Sequence, residues 1–514
     1  MTTSAEVRAS AFRMGGFLAC PRAAKPGARP PRNGRRGSAL RAVALLGGAL
    51  ALAGCETMAA LNPFAGSGPP PGTPGFVRGF LGGVAAEDPA AALAARNVLS
   101  AGGTAVDAAV AAGFVMAVTL PSRVGLGGGG ACLVFDPAKA GVEAVVFPPG
   151  PRTSVPPGAD RPAAVPLLAR GLFALHTRRS NRPFEELLAA AEQAARFGTE
   201  VSRGLAADLA AVAGPLFADP GARAVFARPD GTPKTAGERL VQPELAGTLG
   251  QLRVQGVGDL HQGALARRLE EVSALAGGHL TIEELRAGLP RLLQPILLPT
   301  RGGDQIAFLP PPADGGLAAA ASFGALAAGQ PLPEAQARGL AVAAAWRERG
   351  GDPQALLAAP VPPAAGMGTL PASAGLMVFD RDGVAVSCAF TLNNLFGTGR
   401  MAPGMGFLLG AAPNTGSVQP ALLSAAIAYN ANIRAFRAAA AGSGQQAAPM
   451  AVAGPAALHL LRGVDPAAAV EGGVPSPGRV QLGACPNYLP GRADRCTAIS
   501  DPRGTGVAVG RVDQ

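Results

Sequence analysis

Leu370-Pro371-Ala372-Ser373-Ala374-Gly375 leads into LMVFD, a stretch that reads as a strand. A hydroxyl at the mouth of a strand is either a turn residue or a reagent. As a reagent it is weak until a base takes its proton. The four histidines, His176, His261, His279 and His459, are scattered, and no Ser-His-Asp signature is present. Farther on, FTLNN carries Thr391 and Asn393, two positions apart on an alternating strand and therefore on one side of it. The run RVGLGGGGACLVFDP holds four consecutive glycines, Gly127 to Gly130. It lacks the Lys-Ser/Thr ending of a phosphate loop and enters a strand instead of opening a helix, so close backbone approach is the expected use. No Cys-x-x-Cys occurs and the histidines make no ligand spacing, so no metal site is expected.

The elements that must position these residues can be read in outline. EDPAAALAARNVLSAGG has helical spacing and stops at Gly102-Gly103. TAVDAAVAAGFVMAV starts from Thr104 as N-cap and is apolar almost all round, which predicts a buried helix. Helices dominate from Pro183 to Leu293. Strand signals return at RLLQPILL and QIAFLPPP, and again at GLMVFD and VAVSCAFTL on either side of a hairpin turn, Asp380-Arg381-Asp382-Gly383. The Pro/Ala-rich stretch 351–372 reads as flexible surface chain and a natural place for a break.

Composition narrows the function classes. Hydrophobic residues make up 48% of the 514 and charged residues 15%, enough apolar material for a large core. The net charge of +10 suggests nucleic acid until it is located: residues 1–54 alone carry +8. With aromatics at 4%, base stacking has few platforms, and no nucleic-acid partner is expected. The leader instead has the parts of a secretory signal, a Pro/Arg-rich flank followed by the short apolar run Ala42 to Cys55. Its ending, Leu52-Ala53-Gly54-Cys55, resembles the bacterial lipobox, which implies lipidation at Cys55, a membrane anchor, and a place in the cell envelope facing the periplasm. An ordinary cleaved signal and a buried apolar segment are the other readings. Residues 55–84 are a Gly/Pro-rich tether. In an oxidising compartment Cys485 and Cys496, bracketing PNYLPGRADR, are expected to pair, while Cys132 and Cys388, inside strands, are expected as buried thiols.

Several separate blocks, in order, resemble the gamma-glutamyltranspeptidase family of N-terminal-nucleophile hydrolases. They are AGGTAVDAAVAAGFVMAVTLPSRVGLGGGG, AVPLLARGLFALH, LVQPELAGTL, GALARRL, PPPADGG, FDRDGVAVSCAFTLNNLFGTGR and SDPRGTGVA. The resemblance covers about residues 85–514 and implies an α+β fold, a four-layer αββα sandwich of two stacked antiparallel sheets flanked by helices. It also implies self-cleavage between Ala372 and Ser373. That register makes Ser373 the N-terminal nucleophile, with its own freed amine as base. The family's supporting Thr and Asn fall on Thr391 and Asn393. Its oxyanion turn falls on Gly442-Ser443-Gly444-Gln445-Gln446, with the backbone of Gly444 and Gln445 as donors. A large piece, 85–372, and a small piece, 373–514, are expected to stay associated, with no cofactor required.

Three departures stand out. Where the family clamps a substrate carboxylate with an Arg after a strand, Phe147 is followed by Pro148-Pro149, and Arg152 is the only guanidinium nearby. Leu409 to Thr415 offers no acid for the substrate amine, and Leu422-Leu423 stands in the region of a Ser-Ser pair. An unpartnered buried charge costs several kcal/mol, so γ-glutamyl recognition is not expected. Two functions follow: an amidohydrolase or acyltransferase acting on another small-molecule or peptide amide, or an inactive envelope lipoprotein serving as a binding or structural module.

Overall fold

The computed structural model describes residues 69–360, 367 and 370–510. All of them fall in the unit Gly68–Gln514; the leader with Cys55 lies outside them. Two antiparallel sheets form the centre. The first has the order β15-β1-β9-β10-β2-β3-β6: β15 (Val507–Val509), β1 (Gly82–Ala86), β9 (Ala374–Asp380), β10 (Ala385–Thr391), β2 (Gly129–Asp136), β3 (Gly141–Phe147) and β6 (Arg291–Leu293). The second has the order β14-β13-β12-β11-β8-β7: β14 (Thr497–Ser500), β13 (Arg479–Leu489), β12 (Ala435–Ser443), β11 (Ser424–Asn430), β8 (Gln305–Phe308) and β7 (Ile296–Pro299). A small ribbon pairs β4 (Thr199–Glu200) with β5 (Arg239–Leu240).

The side-chain period of two sorts the central strands into layers. In β10, Val386, Cys388 and Phe390 face one apolar cluster, shared with the Ala105–Thr119 helix, while Ala385 and Ala389 face another. That second cluster fills the space between the sheets with Leu133, Phe135, Met377, Phe379, Ile427 and Phe436. A third, with Phe308, Phe323, Val452 and Leu482, lies between the second sheet and the Asp314–Ala327 and Ala448–Arg462 helices. The result is helix, sheet, sheet, helix, as the resemblance implies. Strands buried on both faces carry apolar residues at nearly every position, which is how β9 and β10 read.

The Ala105–Thr119 helix is buried along its whole length and begins with a capping box between Thr104 and Asp107. Its first N–H, from Ala105, is donated to Asp380 Oδ2 at 2.8 Å, which ties the β9–β10 turn to the helix start. Within the stretch 351–372, the described residues 351–360 lie at the surface, as expected. The stretch carries a short helix, Pro353–Ala358, and re-enters the core at Leu370, packed with Ala318, Ala343 and Leu422. Among the described residues no helix is long and apolar enough to cross a membrane.

The cysteines correct one expectation. Cys485 is bonded to Cys496, and Cys132 is bonded to Cys388. The latter two are not free thiols: the β10–β2 register sets them directly opposite, with Cα atoms 4.1 Å apart. Their separation of 256 residues concealed a contact that only the strand pairing creates.

Candidate active site

Ser373 is the residue before β9 and is 2% exposed. Ala374 pairs with Phe390, so Ser373 lies beside Thr391 at the end of β10. Thr391 Oγ1 donates to the carbonyl oxygen of Ala372 at 2.7 Å and accepts the Asn393 N–H at 3.0 Å. The carbonyl that a cut between Ala372 and Ser373 would attack is therefore already polarised by a fixed hydroxyl. Asn393 has a left-handed φ of 56°. Its Nδ2 donates to the Ala411 carbonyl at 3.3 Å, and its Oδ1 accepts from the Ala421 N–H at 3.4 Å. Asn393 lies beyond the end of β10, so strand alternation does not place it; its N–H bond to Thr391 Oγ1 keeps it beside Thr391, and its side chain holds two loops there.

The glycine run provides room at this point. A Cβ on Gly128 would lie 2.4 Å from the Thr391 carbonyl oxygen, so no other residue lets this loop approach the strand end as closely. At the end of β12, Gly444 has φ of 108° and leads through the 3-10 turn Gln445–Ala447 into the Ala448–Arg462 helix. Gly444 and Gln445 line, together with Ser373, Ala372 and Ser443, a cavity of about 520 Å³. The five expected catalytic positions are thus gathered, four of them around one short stretch of backbone and Asn393 just beyond it.

Arg152 is placed differently. Its side chain is 1% exposed and paired with Glu284 at 2.9 Å. Nη1 donates to the carbonyls of Ala163 and Gly278, and Nη2 to that of His279. Every nitrogen of the guanidinium is engaged inside the protein, so the expected substrate-binding role is corrected to one of bracing loops. Glu284 is held below its usual range against the burial that would raise it, by this pairing.

Sequence reading missed a charged cluster in the wall of the Ser373 cavity. Glu87 Oε1 accepts the Gly375 N–H at 3.0 Å, and the Glu87 N–H is donated to the Gly375 carbonyl at 3.2 Å. Arg123 bridges Glu87 at 3.2 Å and Asp208 at 2.8 Å, and Ser122 Oγ donates to Asp208 at 2.7 Å. Burial raises the Glu87 carboxyl above its ordinary value, opposed by Arg123. Burial also opposes the Arg123 charge, but Asp208 and Glu87 more than offset it. The cluster clamps the first residues of β9 from the side opposite Thr391. The acidic pair Glu87-Asp88 before a helix was the one available signal; its three-way pairing was not. Among the described residues no group of three or more His, Cys, Asp or Glu could hold a metal ion.

Known proteins resemble this chain in sequence over part of its length and in fold. The family described as Gamma-glutamyltranspeptidase matches residues 91–327. The chain is 30% identical over 257 residues to the glutathione hydrolase proenzyme of Escherichia coli, covering 47% of this chain and 44% of that protein. It is 30% identical over 319 residues to human glutathione hydrolase 6, covering 62% of this chain and 55% of that protein. The chain thus spans about half the length of the curated relatives it matches. A cephalosporin acylase from Bacillus halodurans has the same fold, with a TM-score of 0.66 and 19% identity over 88% of this chain and all of that one. At about 30% identity over about half of its length, the chain is a distant homologue of the gamma-glutamyltranspeptidase family, whose members are N-terminal-nucleophile hydrolases.

Proposed function

We propose that the chain is an exported, self-processing amidohydrolase or acyltransferase whose N-terminal nucleophile is Ser373. The observation that carries this reading is the Thr391 hydroxyl on the Ala372 carbonyl at 2.7 Å, beside the serine that would attack it. In the first step Ser373 Oγ attacks the Ala372 carbonyl carbon, and Thr391 stabilises the oxyanion. The C–N bond breaks, the peptide nitrogen takes a proton and becomes the Ser373 amine, and Ala372 is left as an ester on the serine. Water hydrolyses that ester to give the Ala372 carboxylate and the free hydroxyl.

Each turnover then repeats the chemistry on a substrate amide. The Ser373 amine, with an unperturbed pKa of about 7.7–8.0, takes the hydroxyl proton near working pH and delivers it to the leaving amine. Water or an amine removes the acyl group. The backbone N–H groups of Gly444 and Gln445 are the proposed oxyanion donors, and no cofactor or metal enters the cycle. The large piece, 85–372, and the small piece, 373–514, remain together.

Two disulfides fit an oxidising compartment. The proposed location is the bacterial envelope, facing the periplasm, with Cys55 carrying a lipid anchor and residues 55–84 as tether. Mass spectrometry of both termini in protein isolated from cells tests these claims together. The expected result is one piece beginning at a lipid-bearing Cys55 and another beginning at an unmodified Ser373. A single chain uncut at Ser373 would leave the inactive binding or structural module as the reading. An unmodified Cys55 would remove the anchor alone.

A further inference from the structure

We infer that a cavity of about 850 Å³ beside Asn393 receives the acyl group of the amide, and that this acyl group is uncharged and largely apolar. The inference rests on the Ser373 reading above. The three stretches in which the sequence departs from the family lie far apart along the chain. All three reach this cavity: Pro148 and Pro149 after β3, Pro413 in the 409–415 loop, and Ala421 with Leu423 before β11. Trp346 adds an aromatic wall. The departures are therefore one coordinated change of a single site, in which groups suited to a carboxylate and an ammonium give way to proline rings and aliphatic carbon.

The ionic groups at the wall do not restore that recognition. Glu284 is held by Arg152, and Asp314 by Arg347, so each pair is neutral in itself. Arg347 Nη1 lacks an acceptor, but that atom is buried and its charge is met by Asp314. Arg291 is the lining guanidinium outside these two pairs, and because it is exposed and hydrated a substrate carboxylate gains little from it against the water it loses.

Asn393 links the cavity to the chemistry. Through Ala411 and Ala421 it fastens the two altered loops to the strand end that carries Thr391. Ser373 itself lines the smaller neighbouring cavity with Leu370 to Ala372, and Leu370 packs on Leu422, next to Leu423. On this inference, cutting after Ala372 frees this segment from the nucleophile and opens the way between the two spaces.

Purified protein is assayed with the p-nitroanilides of acetic, butyric and hexanoic acids, and with γ-glutamyl and glutaryl p-nitroanilide. The expected kcat/KM rises by roughly threefold per added methylene. Hexanoyl should exceed both charged acyl groups by at least about 100-fold, and Leu423→Asp should lower the hexanoyl value by about 10-fold or more. Charged anilides cleaved as well as the hexanoyl one would overturn this inference while leaving the Ser373 reading intact. Where the chain is uncut and no anilide is cleaved, the Ser373 reading has failed, and calorimetric binding of N-hexanoylaniline decides the cavity separately. Binding weakened about 10-fold by Leu423→Asp, or by Trp346→Ala should the first variant not fold, supports it. Absence of binding overturns it.

Discussion

Thr391 has two neighbours to satisfy with one hydroxyl: it gives its proton to the Ala372 carbonyl and receives the Asn393 N–H. Valine has nearly the same shape and can do neither, so Thr391→Val separates the hydrogen bonds from the packing. Self-cleavage of this variant, followed on a reducing gel, should slow by about 100-fold or more, the usual consequence of removing one oxyanion donor. Thr391→Ser should restore most of the rate. A thermal midpoint that falls in the valine variant while the rate of cutting stays the same would make the hydroxyl a structural feature only. Ser373 needs no such argument about shape; its place before β9 and its burial both come from the apolar strand it precedes. Arg152 is the contrasting case. Its nearness to Phe147 in sequence suggested a substrate contact, but each of its three nitrogens is engaged, by Glu284 and three carbonyls. Sequence distance gives no measure of which donors are already used.

The β9–β10 hairpin is the element on which the site hangs, and Asp380 at its turn has a second task. It accepts N–H bonds from Asp382 and Val384 within the turn and from Ala105 at the helix start. Burial nevertheless dominates and pushes its pKa up to about 6. A carboxyl raised in the folded state adds stability that is fully present below the ordinary value of 3.8 and is lost as pH rises through about 6. Asparagine cannot ionise, so the stability of Asp380→Asn relative to the parent should improve by about 2 kcal/mol between pH 4 and pH 7, whatever its offset. Urea melts at several pH values measure this, and a difference that does not move with pH would refute the assignment. Much of this element was legible: the DRDG turn, the alternation of VAVSCAFTL, and Thr104 as N-cap of the helix behind it. What could not be read were contacts made by strand order. Cys132 opposite Cys388, and Glu87 with Arg123 and Asp208, depend on which segments become neighbours, and local pattern carries no information about that. The altered loops were visible one by one as missing charges; that they enclose a single cavity was not.

At the scale of the molecule, the cut proposed between Ala372 and Ser373 does not divide the protein into two bodies. In the first sheet β9 lies between β1 and β10, and β10 in turn pairs with β2, so the sheet contains strands from both sides of the cut, paired with one another. In the second sheet β11, from the C-terminal side, pairs with β8 from the N-terminal side. Pulling the pieces apart would strip both sheets of ladder hydrogen bonds and expose the apolar layer between them, so separation amounts to unfolding. The Cys132–Cys388 disulfide also crosses the cut and joins the pieces covalently. Three readouts on one sample should then differ in a fixed way. A denaturing gel without reductant should show one band near full size, and the same gel with reductant should show two. Size exclusion of reduced but undenatured protein should show a single peak containing both pieces, because the sheets hold without the bond. Two bands without reductant would mean that the disulfide is not formed in the mature protein. Two peaks under native reducing conditions would mean that the interleaved sheets do not hold the pieces, and that the bond alone does.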